Sequence, residues 1–177
     1  AAAGGRSPAE RLLEAPLREW CAVERTAGRC LSSFCNIHHR LRLLEDPDEE
    51  VQEVIGSDAL RQRLSEVHAV ELNRLERILE RLAGQLNSVV DEVMKLADKA
   101  ERDPELPPGD LGYLEDVAVA LSRELWRKEE MLAAFLDSRT LADTAQEIAD
   151  QVVTDWPSGG NGSFLDSTVL QRVVVEF

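Results

Sequence analysis

The chain has 177 residues, 44% of them hydrophobic but only 5% aromatic, and 34 acidic against 20 basic side chains leave a net charge of −14. That much apolar material supports a core of ordinary size and excludes a wholly disordered chain. The acidic excess argues against direct binding to nucleic acid or docking on anionic lipid, both of which need clustered Lys and Arg, and no apolar run approaches the ~20 residues of a membrane span.

Residues 1–7 are small and Gly-rich and read as a flexible tail. Ser7-Pro8-Ala9-Glu10 has the order of a helix start: a capping serine, proline at the first position and glutamate at the third. Pro16 predicts a break, so a short turn should precede a main first helix from about Leu17 to Leu44. Its apolar face is Trp20, Val23, Ala27, Leu31, Phe34, Ile37, Leu41 and Leu44, at three- and four-residue steps. The N-terminal stretch lacks the apolar centre of a secretory signal, and the three cysteines, Cys21, Cys30 and Cys35, are odd in number and closely spaced. Both features point to a reducing compartment, nucleus or cytoplasm.

"CLSSFCNIHH" is the one cluster of metal-capable residues, but zinc needs four converging ligands from more than one element. Here every candidate sits on one predicted helix, so no metal is expected, and no cofactor motif appears either. Carboxylates are plentiful, yet none is paired in a way that singles it out for acid–base work, so no catalytic residue is expected.

Residues 45–57, with six acids in "EDPDEEVQE", read as a solvated linker. Ser57 or Asp58 caps a second helix running to about Glu101, roughly 65 Å at ~1.5 Å per residue. Leu72, Leu75, Leu79, Leu82, Leu86, Val89, Val93 and Leu96 form an unbroken heptad stripe along it. The flanking positions Ile78, Ala83, Val90 and Ala97 widen the face beyond a two-stranded seam, which favours several neighbours. Helices of the same chain are the first candidates, but the other helices are too short to cover the whole second helix. The stripe is therefore also a candidate contact surface.

A Pro-rich loop over 102–110 ends this helix. A third helix, Leu111 to Asp137, carries Leu114, Val117, Leu121, Leu125, Leu132 and Phe135, with Lys128 intruding on the stripe. A fourth and shorter one, Thr140 to Trp156, presents Leu141, Ala145, Ile148, Val152 and Trp156. Residues 157–177 are a Gly-rich hinge followed by an apolar segment whose valines favour an extended strand. That strand would add to a partner's sheet, fold over a groove, or pack back on the bundle.

Trp20, "Trp126-Arg127-Lys128-Glu129" and Trp156, spaced along an early helix, a long leucine-rich helix, a Pro-containing loop and two later helices, resemble the cyclin-dependent-kinase-interacting protein family. The resemblance spans about Leu17 to Trp156; the Pro-Ser-Gly-Gly end of the last helix and the valine-rich tail depart from it. It implies a small non-catalytic subunit of a nuclear assembly, one tied to DNA replication and cell-cycle control or built around AAA-type ATPases.

The expected fold is all-α: an elongated antiparallel helical bundle or coiled coil of three long helices and one shorter one over 8–156, with an extended C-terminal tail. The expected function is that of a subunit or adaptor joining other protein subunits. Its contact residues would be the heptad stripe, Trp126, Trp156, Phe164, Leu165, Val173, Val175 and Phe177. The alternative is a homo-oligomeric coiled-coil tether in membrane traffic or the cytoskeleton.

Overall fold

The computed structural model describes residues 5–137 and 145–174. Among these residues there are six helices and no strand: α1 (Pro8–Glu45), α2 (Glu49–Ile55), α3 (Asp58–Glu101), α4 (Pro108–Asp137), α5 (Ala145–Asp155) and α6 (Ser167–Val173). None of them is long and apolar enough to cross a membrane.

α1 begins where the sequence signals it. The Ser7 side chain accepts from the Glu10 N–H, the Glu10 carboxylate accepts from the Ser7 N–H at 2.9 Å, and proline occupies the first turn. The expected break at Pro16 does not occur, and α1 runs through it. Proline removes one helical hydrogen bond at about 3 kcal/mol. Leu13, Pro16, Leu17 and Trp20 are all buried on the same side, so packing holds the helix together across the defect.

The acidic linker is a second correction. Asp48 caps a seven-residue helix by accepting from the Val51 N–H at 2.8 Å, and Gly56 ends it with φ 68°, a left-handed conformation that glycine adopts without strain. No side chain of α2 is buried. Ser57 then caps α3.

α1 packs along α3, α4 packs on α3, and α5 and α6 both lie against α1, α5 also touching α4. The core interior is built from Leu13, Leu17, Trp20 and Leu31 of α1, Leu72, Leu79 and Leu86 of α3, and Leu114, Leu121 and Phe135 of α4. Phe34 meets Phe135 edge-to-face at 5.0 Å between ring centroids. From Leu72 to Val93 the heptad residues are at most 6% exposed, and Leu96 is half-buried. The chain's own helices therefore cover this stripe. It is core, and its assignment as a partner-contact surface is corrected: α1 and α4 together supply the several neighbours that the widened face requires.

The tail packs back on the bundle, one of the courses open to it, but the expected strand is a third correction. Residues 157–174 form no strand; Asp166 caps α6, and Leu165, Leu170, Val173 and Val174 are at most 2% exposed in the same core. Burying these four side chains against α1 returns more than an isolated strand could gain in water.

The far end of the α1–α3 pair differs in kind. Between residues 36 and 71 Leu44 is the only buried side chain, whereas Val54 is 83% and Val67 58% exposed.

Candidate functional site

Two features stand out: a buried polar knot at one level of the molecule and an exposed apolar face at another. In the knot, Glu24 comes from α1, Glu124, Arg127 and Lys128 from α4, and Ser158 from the loop after α5. Glu24, Glu124, Lys128 and Ser158 are all buried. The Lys128 ammonium lies 2.5 Å from Glu24 Oε1 and 3.5 Å from Glu124 Oε1, and donates to the Trp156 carbonyl. Arg127 forks onto both oxygens of Glu124 and also donates to the Asp155 carbonyl at 2.8 Å.

The loop closes this arrangement. The Ser158 N–H and hydroxyl both donate to Glu24 Oε1, at 2.8 and 2.5 Å, while Trp20 Nε1 donates to the Ser158 hydroxyl at 3.2 Å. Trp156 Nε1 donates to the Glu24 carbonyl at 3.0 Å. Glu124 Oε2 accepts from the Phe164 N–H at 2.8 Å and from the Ser163 hydroxyl at 3.0 Å. Two carboxylates against one ammonium and one guanidinium make the knot formally neutral, which is what allows four charges to leave water together.

Burial alone would raise the Glu124 carboxyl, but the Arg127 hydrogen bonds, the Phe164 N–H and the Lys128 charge outweigh it and hold it below the ordinary carboxylate range. Lys128 moves down from the ordinary lysine value because burial disfavours its charge more than Glu24 and Glu124 restore it. The groups are spent on one another, and their combined effect is to fasten residues 156–165 to α1 and α4.

Trp126, Trp156, Phe164, Leu165 and Val173 land in different places. Trp156 is 3% exposed, its ring beneath the Lys128 ammonium at 4.5 Å from the centroid, and Leu165 and Val173 are core. These three are corrected from contact residues to packing residues. Trp126 and Phe164 remain exposed, at 60% and 46%. Val175 and Phe177 lie outside the described residues, as does Leu141 of the fourth-helix face.

Sequence reading missed Glu24 and Glu124, although a signal existed. Glu24 sits between Trp20 and Ala27 on the apolar face of α1, and Glu124 lies four residues before the intruding Lys128. Acids at core positions on two helices, with a lysine on one, are a pattern for buried pairing. Ser158 had no such signal.

The surface left open is apolar at the α1–α2–α3 end, where Leu43, Val54, Leu60, Val67 and Val70 are exposed. A second opening, a groove of about 650 Å³ between α1 and α5, is lined by Arg25, Gly28, Arg29, Val153 and Trp156 among others. Among the described residues no three metal-capable side chains converge, and all three cysteines are free. No protein-family model, curated protein or solved structure matches this chain.

Proposed function

We propose that this chain is a non-catalytic helical subunit that joins other protein subunits in one assembly, acting in the nucleus or cytoplasm. The observation that carries the reading is the row Leu60, Val67 and Val70 on α3, with Val54 on α2. These large aliphatic side chains are 47–83% exposed at the end where α1 and α3 are least covered. We read the packing as an elongated antiparallel bundle whose knotted end is rigid and whose α2 end projects as an arm. A genome-maintenance, cell-division or AAA-ATPase-associated assembly is the setting that the resemblance implies. Of the residues carrying that resemblance, Trp20, Arg127, Lys128 and Trp156 meet in the knot, whereas Trp126 and Glu129 are exposed outside it.

A homo-oligomeric tether would now have to use the same arm, since the heptad stripe is internal. Affinity capture of the full chain from cells, quantified by mass spectrometry, compares it with Val67→Ser/Val70→Ser; light scattering of both proteins is run alongside. A stoichiometric partner lost with the double variant is the expected result. A wild-type dimer dissolved by the same substitutions supports the tether instead, and a monomer without any arm-dependent partner overturns both.

A further inference from the structure

The outward face of α3 carries charge as well as apolar surface. Arg63, Arg74, Arg77 and Arg81 share that face with Val67, Val70 and Ile78, following the three- and four-residue recurrence of a helix. Val70, Asn73, Arg74, Arg77, Ile78 and Arg81 line a groove of about 490 Å³ along it. Arg74 is paired with Glu71, at 2.7 and 2.9 Å. Among the described residues, Arg63, Arg77 and Arg81 have no carboxylate partner. On a chain with a net charge of −14, this is a local positive stripe laid beside an apolar one.

We propose that this face docks an acidic amphipathic helix of a partner protein, a proposal that rests on the subunit reading and names the chemistry of its partner. The occupant would set aliphatic residues on Val67, Val70 and Ile78 and carboxylates on Arg63, Arg77 and Arg81. A phosphate backbone would gain nothing from the aliphatic row, and an anionic lipid surface, broad enough to reach past the stripe, would also meet the exposed acids Glu49, Glu50 and Glu53 of α2. A carboxylate helix interacts mainly within the ~8 Å over which salt leaves charge unscreened, so the local arginines dominate.

Among the described residues a second copy offers α4, whose exposed Val119 and Trp126 are flanked by Glu115 and Glu130 but share their face with Arg123, which the arginine stripe would repel. It also offers the acidic, apolar helix α2, with Glu49, Glu50, Glu53 and the exposed Val54. The seven residues of α2 span about 10 Å, whereas Arg63 to Arg81 spans about 27 Å. The partner helix is therefore foreign and about five turns long.

The test presents the full-length chain to a displayed library of 20-residue amphipathic helices. Their apolar stripe is held constant, and the flanking positions vary among Glu, Gln and Lys. Wild type should enrich Glu flanks, and Arg77→Glu/Arg81→Glu should weaken the selected helices at least about tenfold and shift the preference to Lys. Circular dichroism confirms that the variant is folded. Selection without a charge preference, or one that charge reversal leaves unmoved, overturns the proposal. So does tighter binding of a 20-base-pair DNA duplex or phosphatidylserine vesicles than of the best acidic helix, or a wild-type dimer that the charge reversal dissolves. If the cellular partner is lost with Val67→Ser/Val70→Ser but kept with Arg77→Glu/Arg81→Glu, the acidic-helix proposal fails while the subunit reading stands.

Discussion

The Lys128 ammonium of α4 sits 2.5 Å from the Glu24 carboxylate of α1, at a level where both side chains are out of water. Lys128→Met should cost ~3–5 kcal/mol, because it leaves Glu24 and Glu124 buried without their shared cation. Adding Glu24→Gln to that variant should recover part of the loss. Urea unfolding of the four proteins in this cycle checks the coupling; strictly additive losses would show that the pair is not a unit.

The inner and outer rows of α3 should respond unequally to substitution. Leu79→Ala removes a side chain that is 1% exposed and should cost ~2–5 kcal/mol. Val70→Ser, at a position 68% exposed, should stay within ~0.5 kcal/mol. Urea midpoints measure both, and equal losses would contradict the burial described here.

Acid should loosen the knot. The Glu124 carboxyl is held below the ordinary range in the folded chain, so its contribution to stability is complete above the unfolded value of ~4.3. It is lost as the pH falls through the lower folded value. Glu124→Gln should therefore show a shallower fall in stability between about pH 5 and pH 3. Parallel slopes for the variant and wild type would assign the acid sensitivity to other carboxylates.

Thiol labelling should separate the cysteines. Burial pushes the Cys21 and Cys35 thiols up to about 11, while Cys30 is half-buried at the edge of α1. Under native conditions near pH 8, Cys30 should react with a disulfide reagent at least about tenfold faster than the other two, and in denaturant all three should react alike.

Gly159 has φ 84°, and a Cβ built on it would lie 2.9 Å from the Ser167 Cβ. Gly159→Ala should cost ~1–3 kcal/mol and expose the α6 segment to limited proteolysis well before the α1–α3 pair is cut.

The long helices were legible because their signals are local. The Ser7–Glu10 box, the Ser57 cap and the run of apolar residues from Leu72 to Val93 all lie within a turn or two of what they specify. The errors fell where distant packing competes with local preference. Pro16 weakens a helix that Leu13 and Trp20 nevertheless hold, and Val173 and Val174 prefer a strand until the core offers them a place to be buried. The candidate site was legible only in part. Trp126 and Phe164 are exposed, but the apolar row Leu60, Val67 and Val70 could be told from core only by where α4 stops.

Composition and periodicity by themselves determined that the chain is helical, because caps and apolar spacing act through the nearest residues. Which stripe faces inward is a different matter. It depends on the number of neighbours that reach each level of α3, and only the folded arrangement of α1, α4, α5 and α6 supplies that number. For the same reason Glu24 and Lys128, 104 residues apart in the sequence, became an ion pair only once the chain had turned back on itself.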